Sequence, residues 1–222
     1  ELTAKIEGQP LNAIFGFETL GICDNRELYD KYAPMMQKYN PKWGMGDIII
    51  KDRTGEGVIN DEDRTVIGNS IPRFTFGLNL GFEYKGFDFS CFFQGVGKAD
   101  GYVTMEAIQP MGINGARKEH YKESFNPQDP KPGAYFPRIL SSDYNYAYMS
   151  HWVQDASYIR LKNLQIGYSF KIKGLNQLRV YASGENLFTA TKYRTWDPET
   201  PVGARGFYPN VAVYSMGVNL NF

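Results

Sequence analysis

Val211-Ala-Val-Tyr-Ser-Met-Gly-Val-Asn-Leu-Asn-Phe222 is the stretch on which the fold class turns. Successive side chains of an extended chain point to opposite faces. Ala212, Tyr214, Met216, Val218, Leu220 and Phe222 therefore share one face, and Ser215, Gly217, Asn219 and Asn221 share the other. An apolar face backed by small and polar residues, ending on an aromatic residue, suits a strand of a transmembrane β-barrel, whose wall takes about 9–11 residues per strand. The edge strand of a soluble sandwich alternates in the same way, so this stretch alone leaves both readings open.

The same period of two recurs upstream. Over residues 74–84, Phe74, Phe76, Leu78, Leu80, Phe82 and Tyr84 oppose Thr75, Gly77, Asn79, Gly81 and Glu83, a pattern no helix produces. A Lys85-Gly86 turn leads into Phe87, Phe89, Cys91, Phe93 and Gly95 against Asp88, Ser90, Phe92, Gln94 and Val96. This is a hairpin with one apolar face and arms of wall length. A second hairpin runs from 158 to 188. Leu164, Ile166, Tyr168 and Phe170 oppose Asn163, Gln165, Gly167 and Ser169; residues 171–176 turn the chain; Leu178, Val180 and Ala182 then oppose Arg179, Tyr181, Ser183 and Glu185.

Outside these arms, residues 11–22 read as a first strand and 25–37, broken by Pro34, as a loop with at most a helical turn. Residues 47–51 form a short strand leading to an acidic loop at 52–63, and 68–72 have turn chemistry. A long insertion at 97–150 carries a helix near 117–124, and 189–210 is another long loop. Connections thus alternate between long and short, as in outer-membrane barrels with short periplasmic turns and long external loops. A sandwich has no reason to sort its loops by end. The expectation is an all-β fold: a transmembrane antiparallel barrel. The strands number roughly six, whereas single-chain barrels begin at about eight. An open edge in lipid strands backbone groups at several kcal/mol each. The chain is therefore expected to be the carboxy-terminal part of a larger barrel, or to share one with other chains.

Composition narrows the function classes. Lys plus Arg equal Asp plus Glu at 24 each, so no net field points to nucleic acid or an anionic membrane surface. The 16 Tyr and 15 Phe suit strands and aromatic girdles. No run approaches the ~18 apolar residues of a membrane helix, which says nothing against alternating barrel strands. Cys23 and Cys91 make no disulfide framework, and their pairing stays open. Glu1-Leu-Thr-Ala-Lys5 has neither the basic nor the apolar region of a signal peptide, which leaves a cytoplasmic protein or a piece of something longer.

Several blocks then resemble one family in order. They are Gly46-Asp-Ile-Ile-Ile-Lys-Asp-Arg-Thr-Gly-Glu-Gly-Val-Ile-Asn-Asp-Glu-Asp-Arg-Thr-Val-Ile-Gly-Asn69, Pro72-Arg-Phe-Thr-Phe-Gly-Leu-Asn-Leu80, Tyr84-Lys-Gly-Phe-Asp-Phe-Ser90 and Phe93-Gln-Gly-Val96. Trp152-Val-Gln-Asp-Ala-Ser-Tyr-Ile-Arg-Leu-Lys-Asn163, Arg179-Val-Tyr-Ala-Ser-Gly-Glu-Asn-Leu-Phe188 and Gly217-Val-Asn-Leu-Asn-Phe222 follow. The set resembles the SusC/RagA-type TonB-linked outer-membrane receptors over nearly the whole chain; residues near 25–44, 100–150 and 192–210 look individual. The resemblance implies that residues 1–222 supply roughly the last six strands of a barrel of about 22, with extracellular loops at about 23–72, 97–152 and 189–210. It also implies a Bacteroidetes-like outer membrane, outer-membrane lipid around the wall, and an amino-terminal part of the same receptor as partner. That part holds the plug and the region coupled to the TonB complex; neither it nor a signal peptide stands in these residues. The implied activity is TonB-dependent import of an oligosaccharide or peptide nutrient together with a SusD-like lipoprotein. Phe222, with Tyr214 and Leu220, resembles the carboxy-terminal signal read by barrel-assembly machinery.

Two sets of site candidates arise. Residues 52–63 can be laid on the twelve-residue calcium loop: Asp52, Thr54, Glu56, Val58 (through its carbonyl), Asn60 and Asp63 at positions 1, 3, 5, 7, 9 and 12, with Gly57 at the sharp turn. Oxygens at that spacing wrap one hard cation, so Ca2+ is the candidate cofactor. Thr54 and Glu56 depart from the Asp-x-Asn-Gly-Asp-Gly of the resembled family, and Asp63 reaches less far than Glu. The alternative is a polar turn ordered by its own side chains. Tyr144, Tyr146, Tyr148, Trp152 and Trp196 are candidates to stack on sugar rings; the same residue types also form interfacial girdles and loop packing. His120 and His151 have no partner at metal-ligand spacing. The chain has no G-x-S-x-G, P-loop, C-x-x-C or H-E-x-x-H, and no carboxylate pair stands out, so an enzyme such as a surface glycosidase is the weakest reading. A passive porin-like or adhesive barrel is the stronger alternative to energised import, since wall strands serve both.

Overall fold

The structure, a computed structural model, describes residues 2–104, 108–110, 115–130, 132–139, 144–174, 176–194, 196–202 and 208–221. The chain divides into two units. One comprises Glu1–Ile71, Gly101–Gln154 and Pro201–Gly206; the other comprises Pro72–Asp100, Asp155–Thr200 and Phe207–Phe222.

In the first unit the chain forms β1 (Thr3–Ala4), β2 (Ala13–Phe17), β3 (Thr19–Ile22), α1 (Arg26–Tyr39), β4 (Ile48–Ile50) and β5 (Arg64–Asn69). β2 lies between β1 and β5, and β3 pairs with β4. The strand expected at 11–22 is thus two short strands that belong to small sheets of their own. The reason is burial on both faces: Ala13, Ile14 and Phe17 are all enclosed, and Phe17 N–H donates to the Tyr148 carbonyl at 2.9 Å. The three isoleucines of β4 are also fully buried.

The loop expected at 25–37 is a 14-residue helix. Asn25 caps it by accepting from Leu28 N–H at 2.9 Å. Ala33 and Met36, three residues apart, are buried on one side, and Tyr29 stacks on Trp43. Pro34 sits inside it, removing one helical hydrogen bond, to the Asp30 carbonyl, without ending the helix. Tertiary packing outweighs the breaker.

The second unit begins with β6 (Phe74–Tyr84) and β7 (Phe87–Gly97). Lys85 and Gly86 between them both have positive φ, 49° and 87°, the backbone of a two-residue hairpin turn that matches strand twist. The insertion follows, with β8 (Asp100–Tyr102), α2 (Lys118–Glu123) where a helix was expected, and β9 (Val153–Asp155) paired to β8. β10 (Tyr158–Phe170), β11 (Gln177–Thr191) and β12 (Val213–Asn221) complete a five-stranded antiparallel sheet in the order β12-β11-β10-β7-β6. Both expected hairpins are present, and β12 pairs with β11 as its sequence neighbour.

Register sorts the faces across the whole sheet. Phe82, Phe89, Ile166, Ala182 and Met216 stand side by side in one row, and Tyr84, Phe87, Tyr168, Val180 and Val218 in another. Between them, one residue out of phase, lie Glu83, Asp88, Gly167, Tyr181 and Gly217. The large apolar residues of β6 are all exposed, and Met216 of β12 is 91% exposed. β10 keeps this polarity only through a bulge at Lys162, which shifts the register between Leu161 and Asn163. Ile159 before it and Ile166 after it, opposite in parity, thereby reach the same face.

Candidate functional site

The acidic loop is closed by its own backbone. Asp63 is fully buried at the end of a 3-10 turn, Asp61–Asp63. One of its carboxylate oxygens accepts from Arg53 N–H at 2.8 Å, Thr54 N–H at 3.1 Å and the Thr54 hydroxyl at 3.2 Å; the other accepts from Asn60 N–H at 3.0 Å. Burial alone would raise its pKa, but these hydrogen bonds outweigh burial and hold it below the usual carboxylate range. Asp52 accepts from Gly55 N–H at 2.6 Å and Gly57 N–H at 2.7 Å, and Glu56 accepts from the Asn60 amide. Amide N–H groups therefore bond both oxygens of Asp52 and both oxygens of Asp63. Among the described residues no cluster of three metal-ligating side chains exists. As it stands, the loop is ordered by hydrogen bonds among its own side chains and amides, and Val58 lies exposed beside it.

The aromatic candidates separate. Trp152 and Tyr146 are buried and stack on each other, and the Trp152 indole N–H donates to the Asn145 carbonyl at 2.8 Å. Tyr144 donates its hydroxyl to the Ile48 carbonyl at 2.9 Å. Trp152 and Tyr146 are packed into the interior of the unit, whereas Tyr144 is half-buried. Tyr148 is 41% exposed, and Trp196 is half-buried in the other unit. His151 is enclosed by Trp152 and Tyr135, its Nε2 2.8 Å from the Tyr135 carbonyl; burial lowers its pKa, partly offset by that contact. Cys23 and Cys91 are free thiols, and burial pushes the Cys23 thiol up to about 11. Tyr214 and Leu220 lie on the exposed apolar side of β12; Phe222 lies outside the described residues.

Sequence reasoning missed two groups. In the first unit Asp47, 1% exposed, takes a two-pronged ion pair from Arg138 (2.8 and 2.6 Å), with Asn145 and Gly44 N–H as further donors. This pins the insertion to the start of β4. In the second unit the polar face of the sheet carries Asp88 paired with Arg179 and a network centred on buried Arg160. Arg179 and Asp88 occupy polar positions of the alternation, the one visible hint of their role.

The second unit is thus a five-stranded antiparallel meander with an exposed apolar face, a polar opposite face and long connections at one end. No family model matches the chain. TonB-dependent receptor P3 of Formosa agariphila is 32% identical over 97% of this chain. The chain belongs to the SusC/RagA-type TonB-dependent receptors.

TonB-dependent receptor SusC of Bacteroides thetaiotaomicron is 27% identical over 78% of the chain. The structure of the RagAB peptide importer in the open-open state superposes with a TM-score of 0.70 at 22% identity, over 97% of this chain and 23% of that one, a likeness of fold. This chain spans only 22% of receptor P3 and 17% of SusC. Members of this receptor family are transporters rather than enzymes.

Proposed function

We propose that this segment is part of the wall of an outer-membrane barrel of about 22 strands, in a receptor that imports an oligosaccharide or peptide by TonB coupling together with a SusD-like lipoprotein. The observation that carries the reading is the sorting of faces: five wall-length strands in register put Phe, Leu, Tyr, Met and Val side chains on one exposed side. So large an apolar patch has no place on a soluble monomer, whereas lipid covers it at no cost. Both edges of the sheet, β6 and β12, need further strands in a membrane, and the remainder of the receptor is proposed to supply them. The Lys85-Gly86 and 171–176 turns then face the periplasm, and the connections at 97–157 and 192–212 face outside. Tyr214, Leu220 and Phe222 are read as the signal for barrel assembly.

The test is uptake by cells carrying the full receptor, with and without TonB and with and without its neighbouring lipoprotein. Import that stops without TonB supports the reading. Import, or passive permeation, that continues unchanged without TonB favours the porin-like alternative and overturns energised transport.

A further inference from the structure

Arg160 is 1% exposed, yet it stands on the polar face of β10 among groups that only a loop completes. Its Nε donates to the Thr189 hydroxyl of β11 at 2.8 Å, and the Tyr158 ring lies 5.4 Å from the guanidinium carbon. Its remaining nitrogens meet the 192–210 connection: Nη2 lies 2.7 Å from Asp197 and Nη1 3.2 Å from Glu199. Glu199 also receives the Tyr158 hydroxyl at 2.8 Å, Lys162 Nζ at 2.9 Å and the Asn210 amide at 2.6 Å. The second oxygen of Asp197 accepts from Glu199 N–H at 2.9 Å, and Pro198 between them restricts the backbone. Lys162 is the bulge residue of β10, so the same irregularity that re-phases the apolar face also brings a second cation to this side.

We propose that Asp197-Pro198-Glu199 is a strap buckled onto Arg160 and Lys162, holding the connection between β11 and β12 down on the polar face of the sheet. Two carboxylates cancel two cations, so the buckled face is locally neutral. A buried guanidinium left without partners is strongly unfavourable. The strap therefore holds or lets go as a unit, and letting go would present Arg160 and Lys162 together as a doubly cationic patch. The strap does not depend on the import reading, because it is defined by contacts within one unit and is read out on the loop itself.

The experiment is hydrogen exchange on the full receptor in detergent, comparing wild type with Asp197→Asn/Glu199→Gln. These replacements keep side-chain shape and remove both charges. The expected result is amide exchange at 196–202 at least tenfold faster, with the amides of β10 and β11 unchanged. Exchange at 196–202 equal to wild type overturns the strap. Should the double variant fail to assemble, Lys162→Gln, which removes the more exposed cation, is measured instead: faster loop exchange supports the proposal, and unchanged exchange overturns it.

Discussion

Asp88 on β7 and Arg179 on β11 are ion-paired across the strand that separates them, passing over Gly167 of β10, with Arg179 Nε 2.9 Å from the Asp88 carboxylate. Gly167 is the partner of Asp88 on one side and of Tyr181 on the other, and a Cβ built on it would run into both the carboxylate and the guanidinium. The pair ties three strands at their turn-proximal end and requires glycine beneath it.

Gly167→Ala is expected to lower the unfolding midpoint of the full receptor, and Arg179→Ala to do so as well. The two effects should not add, because removing Arg179 also removes half of the obstruction. Neighbours in direct contact commonly couple by about 0.5–3 kcal/mol. Strict additivity in a denaturant double-mutant cycle would show that the alanine methyl meets neither group.

The faces of the sheet predict an asymmetric response to charge. Leu78→Arg, mid-strand on the apolar side, should cost about 2–4 kcal/mol if that side meets lipid and should reduce outer-membrane level. Asn79→Arg, one residue along on the opposite side, should assemble normally. Equal behaviour of the two variants in membrane fractionation and heat-modifiability assays would exclude a lipid-facing side.

Asp63 supports the 52–63 loop through four hydrogen bonds to one buried carboxylate. Asp63→Asn keeps an acceptor for Arg53 and Thr54 but sets an NH2 donor against Asn60 N–H, and a cost of about 1–3 kcal/mol in local stability follows. The carboxyl is held below its ordinary pKa in the folded state, so its contribution is fully present above the unfolded value, about 3.9, and is lost as pH falls through the folded one. Protection of the loop amides, measured against their intrinsic exchange rates, should therefore be lost only below about pH 4. Loss of protection beginning near neutrality would contradict this account.

Calcium should have no part in that loop. Treating the full receptor with a chelator is expected to leave exchange of residues 52–63 unchanged, and Asp52→Ala is expected to loosen the loop without altering metal content. Bound calcium that disappears with Asp52→Ala would support a cation cage instead.

His151 gives the opposite kind of pH signal. Burial keeps it neutral in the folded state, so the unfolded chain takes up its proton first. Stability of the first unit should fall as pH drops below about 6.5, the unfolded value, and His151→Phe should flatten that dependence. A pH profile identical in the two proteins would remove His151 as its source.

Much of the sheet was legible in residue order. Phe74 to Tyr84 and Leu164 to Phe170 alternate with the period of a strand, and Lys85-Gly86 supplies the positive φ that a tight hairpin needs. The helix at Arg26–Tyr39 was not legible, since Pro34 is a local breaker and the compensation from Met36 and Trp43 is tertiary. Residues 11–22 misled for a related reason: β-forming composition does not distinguish a strand covered on both faces from one facing lipid. The oxygen spacing at 52–63 is legible in the sequence, but the hydrogen bonds from the loop's own amides to Asp52 and Asp63 are not, because they depend on how the loop folds back on itself.

By itself the sequence determined which side chains share a face, where the hairpins turn and which receptor family the chain resembles, because these depend on a period of two, on local φ and on short ordered blocks. Only the tertiary structure decided that Asp88 meets Arg179 over Gly167, that Arg160 holds Asp197 and Glu199, and that Trp152 is core. The ion pairs among these join residues 37 to 91 positions apart. Their existence follows from register and a single bulge, which shift every partner along a strand and leave no mark in local composition.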